Sequence, residues 1–134
     1  MNALTLIYNN IQLLADKTAI SFRKDGEWKS LKWSEFGKEL AKTINALKSI
    51  GVEKEDKVGI YSVNTKDWVL VDLATQMLGA ISVPIYATNS EEQTEFILKQ
   101  TEMKVVLVGE NTQLNIIRRI KEKPEFHSVQ VLSS

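Results

Sequence analysis

The chain has 134 residues, of which 43% are hydrophobic and 25% charged, with 17 basic residues balancing 17 acidic ones. This length suits one domain that buries roughly two-thirds of its unfolded surface, and the composition excludes long disorder and fibrous repeats. Zero net charge offers no long-range attraction for nucleic acid, and the absence of cysteine removes disulfides, thiolate nucleophiles and sulfur-ligated metals together.

Leu4, Ile7, Ile11 and Leu14 recur at helical steps, which predicts a short amphipathic helix within residues 1–16 that docks on something. Residues 17–33 read as a β-hairpin. Its strands are Thr18 to Arg23 and Trp28 to Trp33, turning at Asp25-Gly26, with Ile20, Phe22, Leu31 and Trp33 facing inward. Ser34 then stands where a helix cap belongs, before an apolar face of Phe36, Leu40, Ile44 and Leu47 and a stop at Gly51. The charged run Glu53 to Lys57 is a solvated connector.

From Val58 onward strands and helices alternate. Strands are expected over Val58 to Tyr61, Ile81 to Tyr86, Lys104 to Val108 and Ser128 to Leu132. Helices are expected over Asp67 to Leu78, Glu91 to Gln100 and Gln113 to Lys121, and Ser90 and Gln93 have capping-box spacing. This pattern implies βαβ crossovers, so residues 34–134 form an α/β unit with a parallel sheet and flanking helices. Pro84 lacks an N–H and belongs at a sheet edge, bulge or strand end. The helix around Trp68 is apolar on much of its circumference and needs cover on more than one side.

Ligands of open parallel sheets lie at the carboxyl ends of the strands. The residues after the first parallel strand, Ser62 to Lys66, have neither the glycines of a dinucleotide turn nor the ending of a phosphate loop. Asn64 and Thr65 read either as ligand donors or as a cap for the next helix, and Tyr86, Thr88 and Asn89 either as a cleft wall or as turn residues. His127 has no ligand-spaced partner, which supports neither a metal site nor a nucleophile relay. Arg118, Arg119, Lys121 and Lys123 complement a helix C-terminus. Trp28, Trp33 and Trp68 read as core or interface anchors, since no basic stripe runs between them. No catalytic, cofactor-binding or metal-binding residue is assigned. No stretch approaches the ~20 apolar residues of a membrane span, and a cytoplasmic location is the expectation.

Several segments carry a family resemblance. Leu31-Lys32-Trp33-Ser34-Glu35-Phe36, continuing to Asn45-Ala46-Leu47 and Gly51-Val52, resembles the first conserved motif of adenylate-forming (AMP-binding) enzymes. Asp56-Lys57-Val58-Gly59-Ile60 is similar to their G-D-x-V-(A/G)-I strand, and Asn64 to Trp68 to the helix start after it. Met77 to Tyr86, containing Gly79-Ala80 and Val83-Pro84-Ile85, resembles the G-A-x-x-V-P-(I/L)-x motif. Glu92-Gln93 and Phe96-Ile97-Leu98 look most like the long-chain fatty acyl-CoA ligase branch, from which Ala87 (commonly proline) and Phe96 (often tyrosine) depart.

The resemblance spans Lys17 to Leu132 and implies part of the N-terminal domain of an acyl-CoA synthetase. Such enzymes are several times longer, and their phosphate loop, adenine motif, ribose-binding aspartate and adenylation lysine lie downstream of the matched region. By resemblance the full-length enzyme uses ATP and Mg²⁺ to form an acyl-adenylate from a fatty acid, then passes the acyl group to coenzyme A. None of these is expected to bind this segment. Other readings are a stand-alone flavodoxin-like regulatory module, a dimerisation module using the helix near Trp68, or another adenylate-forming branch such as an aryl- or acetyl-CoA ligase or a peptide-synthetase adenylation domain. A receiver-type module would need aspartates at strand ends, which hold Ser62, Ala87 and Gly109 instead. No ATP–pyrophosphate exchange is expected from this chain, and self-association is.

Overall fold

A computed structural model describes residues 3–63 and 65–133. Helix α1 (Ala3–Leu13) leads into strands β1 (Thr18–Lys24) and β2 (Glu27–Lys32), then helix α2 (Trp33–Ser49). The two strands form an antiparallel hairpin in which Lys24 faces Glu27. At its turn Asp25 and Gly26 both take positive φ, 53° and 79°, the left-handed pair that Asp-Gly supplies at little steric cost. Ile20, Leu31 and Trp33 pack on the core as expected. Of the two readings of Trp28, core or interface anchor, the core one fails: it is 70% exposed, with the Arg23 guanidinium 5.7 Å from its ring centroid, because an outward strand position opposite Arg23 faces solvent.

Ser34 is not the cap of α2. The Trp33 and Ser34 amides donate to the Lys17 and Ala15 carbonyls at 2.9 and 3.0 Å, so donors a capping side chain would satisfy are taken by the chain leaving α1. The helix therefore begins at Trp33, and the Lys32 amide donates back to the Glu35 carboxylate at 3.0 Å. Helix α1 docks as expected, and its partner is α2: a Cβ built on Gly37 would lie 2.8 Å from Ile11 Cγ2. Leu14 falls past the helix end and is exposed.

The remainder is β3 (Lys57–Tyr61), α3 (Lys66–Met77), β4 (Ile81–Ile85), α4 (Glu91–Thr101), β5 (Val105–Val108), α5 (Asn111–Ile120), a 3-10 turn at Pro124–Phe126 and β6 (Gln130–Ser133). The four strands form a parallel sheet in the order β4-β3-β5-β6. Pro84 accordingly lies on an edge strand. The Ser90–Gln93 capping box forms reciprocally, at 2.9 and 3.2 Å. The last strand starts later than Ser128 because Val129 closes the Pro124 turn by donating to the Phe126 carbonyl.

Side chains of successive strand residues point to opposite faces, and both faces of the central strands are apolar. Val58, Ile60, Val105 and Leu107 join Leu40 and Leu47 of α2 and Leu70, Val71 and Ala74 of α3 in one core. Tyr61, Val106 and Val108 join Leu98 of α4 and Ile117 and Ile120 of α5 in the other. Helix α3 thus packs against α2 on one flank and the sheet on the other, which buries Leu70, Val71 and Ala74 and leaves Trp68, Val69, Leu73 and Met77 partly buried.

At the amino ends of the strands, Lys104 Nζ donates to the Gly51 carbonyl at 2.6 Å and to Asp56 at 3.0 Å. It ties the end of α2 to the starts of β3 and β5. The Glu53 amide, donating to Asp56 at 2.7 Å, is the main cause holding the Asp56 carboxyl below its usual range, with Lys104 second. A depressed carboxyl pKa stabilises fully above the unfolded value of ~3.9 and ceases to as pH falls through the folded value. Asp56→Asn should cost about 0.5–1 kcal/mol at neutral pH, as for a partly exposed pair. In urea denaturation at several pH values, this difference from wild type should shrink below pH ~4. An unchanged difference at low pH would contradict the assignment.

Candidate functional site

The strand order reverses at β3: the chain leaves it toward β4 on one side and returns to β5 on the other. In a doubly wound sheet this switch point opens the crevice where ligands settle, outside the carboxyl ends of the two strands. Here those ends carry Ser62 and Gly109, and they touch. The Gly109 amide donates to the Tyr61 carbonyl at 3.2 Å. A Cβ at Gly109 would stand 2.0 Å from Ser62 Oγ and 2.7 Å from Ser62 Cβ. Ser62 is 6% exposed, and its hydroxyl donates to the Val63 carbonyl at 2.9 Å.

Thr65 is a cap, as one of its two readings held: its Oγ1 accepts the Trp68 amide at 3.2 Å. Asn64 lies outside the described residues. At the start of α5 the capping position holds Glu110, whose side chain makes no cap hydrogen bond. A concavity of about 450 Å³ lies between Gly109, Glu110, Thr112 and Ser133. A carboxylate there repels a phosphate that the helix dipole would otherwise attract. Glu110 thus places negative charge at the start of α5, beside this concavity. Among the described residues no group of three or more His, Asp or Glu side chains could hold a metal ion.

The loop after β4 is held from beneath. Tyr61 Oη donates to the Asn89 carbonyl at 2.9 Å, and Gln113 Nε2 donates to the Ala87 carbonyl at 3.1 Å. Gln113 is 5% exposed and its Oε1 has no hydrogen-bond partner. Tyr86 and Thr88 project into solvent, Tyr86 at 80% exposure. Sequence reasoning missed both anchors, since each bond spans at least 26 residues; an apolar helix face interrupted by glutamine was the available signal.

The basic residues near the end of α5 meet acids of α4. Arg119 pairs with Glu91 at 2.6 Å, and Lys123 pairs with Glu95, which raises the Lys123 pKa. His127 is exposed, with Nε2 3.3 Å from the Glu122 carbonyl. A concavity of about 620 Å³ lies between the hairpin and the start of α3, lined among others by Phe22, Arg23, Trp28 and Lys66. Lys66 is already engaged there: it pairs with Glu39 at 3.1 Å and stands 5.1 Å from the Phe22 ring centroid.

Residues 8–134 match the AMP-binding enzyme family. The chain is 28% identical over 115 residues to a long-chain-fatty-acid–CoA ligase of Rattus norvegicus, covering 86% of this chain and 17% of that protein. It is 29% identical over 96 residues to a long-chain-fatty-acid–CoA ligase of Mycobacterium bovis, covering 72% and 16%. Among solved structures, an anthranilate CoA ligase in complex with anthranoyl-AMP superposes with a TM-score of 0.86 at 25% identity, covering 100% of this chain and 25% of that one. A Mycobacterium tuberculosis fatty acyl CoA synthetase gives a TM-score of 0.86 at 18% identity, covering 99% and 26%. The chain thus spans well under a third of each of these proteins.

Gly109→Ala should destabilise the chain by about 1–3 kcal/mol, the range for forcing an extra methyl into a closed contact. Adding Ser62→Gly should recover part of that loss in a double-mutant cycle followed by chemical denaturation. Strictly additive effects would show that the two backbones do not press on each other.

Proposed function

Because this chain belongs to the AMP-binding enzyme family, we propose that it is the N-terminal scaffold segment of an ATP-dependent long-chain fatty acid–CoA ligase. The observation that carries the reading is the family match across residues 8–134, together with similarity to long-chain ligases from mammals and mycobacteria. The reaction of the whole protein would be adenylation of a fatty acid by ATP with Mg²⁺, release of pyrophosphate, and acyl transfer to coenzyme A. No step of that reaction is routed through the described residues.

What this segment contributes is a rigid wall. The β4–α4 loop, fixed by Tyr61 and Gln113, presents Tyr86 and Thr88 at the carboxyl end of the sheet, where ligands of open parallel sheets lie. Lack of cysteine supports a reducing compartment, the cytoplasm. No helix of the described residues is long and apolar enough to cross a membrane. A second reading, activation of an aryl acid, is favoured by the structural likeness to the anthranilate ligase.

ATP–pyrophosphate exchange separates these readings. The 134-residue chain should show no exchange with palmitate or anthranilate above a heat-killed control. The product of the whole coding locus should exchange with palmitate and form palmitoyl-CoA. Exchange with anthranilate alone would transfer the assignment to the aryl branch, and exchange by the short chain would overturn the scaffold reading.

A further inference from the structure

Position 113 is apolar by its place in the helix and polar by its residue. Gln113, Ile117 and Ile120 make the buried stripe of α5, and the two isoleucines belong to the α4–α5 core. Gln113 is 5% exposed, and its Oε1 has no hydrogen-bond partner among the described residues. A buried amide with an unpaired acceptor lowers stability, and methionine, an adaptable unbranched side chain, fits the same place without that loss. What glutamine supplies is a bond from Nε2 to the Ala87 carbonyl at 3.1 Å, 26 residues away in the chain. A local departure from an otherwise consistent core marks a place where geometry is used.

Tyr61 serves the same loop. It ends β3 and is fully buried, and its Oη donates to the Asn89 carbonyl at 2.9 Å. Phenylalanine would pack the same ring, so the hydroxyl is the part that reaches the loop. Within the loop the Asn89 amide donates to the Tyr86 carbonyl at 3.0 Å. The carbonyls of Tyr86, Ala87 and Asn89 are therefore all held, one by the loop itself, one by α5 and one by β3. Because β4 and β5 lie on opposite sides of β3, the Gln113 bond runs from the β5 side of the switch point to the β4 side. The two side chains thus fix the loop relative to the strand ends beside which ligands of such sheets settle.

The chemistry of the loop selects what it can hold. Residues 86–90 read Tyr-Ala-Thr-Asn-Ser and carry no charge. Glu92 stands in the first turn of α4 and Glu110 at the head of α5, while Glu91 is engaged by Arg119. A neutral loop between two carboxylates favours an uncharged group over a phosphate.

We propose, resting on the ligase reading above, that Tyr61 and Gln113 are positioning residues for the acid substrate. They hold the loop after β4 as a fixed wall against the acyl part of the acid and not against the nucleotide. A wall displaced by ~1 Å can cost up to ~100-fold, and releasing one of its two anchors costs less. Contacts made equally in the bound acid and in the transition state appear in KM and leave kcat unchanged.

Pyrophosphate exchange by the product of the whole coding locus tests this, with palmitate and octanoate as acids. Tyr61→Phe and Gln113→Met should each raise the KM for palmitate about tenfold and change the preference for palmitate over octanoate, with kcat and the KM for ATP within about twofold of wild type. Gln113→Met removes the unpaired acceptor, so its thermal unfolding midpoint should not fall. Val106→Ala, in the same core but with no bond to the loop, is the comparison: it should lower the midpoint and leave both KM values unchanged. A palmitate KM unmoved in both loop-anchor variants, or an ATP KM raised equally, overturns the proposal while the ligase reading stands. If wild type activates anthranilate in place of palmitate, the KM for anthranilate is the readout, with the same two outcomes. A wild type that activates neither acid overturns the ligase reading and this proposal together. If Gln113→Met fails to fold, Tyr61→Phe decides, since it loses only a hydroxyl.

Discussion

Everything in the α/β part of this molecule is referred to one pairing, that of β3 with β5. These strands are separated in sequence by a strand and two helices, yet they lie side by side with apolar residues on both faces. Buried parallel strands of this kind cannot leave either face wet. The crossover through α3 and the return through α4 must therefore deposit helices on opposite faces, and the two cores follow. Close contact of the pair at its carboxyl end, where Ser62 meets Gly109, completes the packing.

Polar side chains are committed to the same purpose. Lys104 binds three segments at the amino pole, Lys66 locks α3 to α2 beneath Phe22, and Arg119 and Lys123 fasten α5 to α4. A cation that already faces a carboxylate has little charge left for a phosphate. These pairings stabilise the packing of helices on the sheet. The fold is that of acyl-CoA ligases, but fold alone does not assign chemistry. The assignment rests on the family match and on the named relatives.

Buried anchors under an exposed loop suggest how a platform of this sort contributes. Tyr61 and Gln113 spend hydrogen bonds on main-chain carbonyls of the loop after β4, and Gln113 retains an orphaned buried oxygen, a cost of about 1–3 kcal/mol. Such a cost is tolerated where loop geometry matters more than local stability.

The sequence by itself determined the elements, because their signals are local. Apolar spacing marked the helices, Asp25-Gly26 marked the hairpin, Ser90 and Gln93 marked the start of α4, and Pro84 confined its place to an edge, a bulge or a strand end. The alternation of strand and helix gave parallel topology, and the motifs from Leu31 to Leu98 gave the family. Tertiary structure alone decided how the start of α2 is capped, because the Ala15 and Lys17 carbonyls reach Ser34 and Trp33 across a turn. It alone set Trp28 in solvent, since facing depends on which side of the hairpin meets α2. It alone brought Ser62 against Gly109 at the ends of β3 and β5. Those outcomes depend on which distant backbones approach each other, and hydrophobic periodicity carries no information about distance between elements.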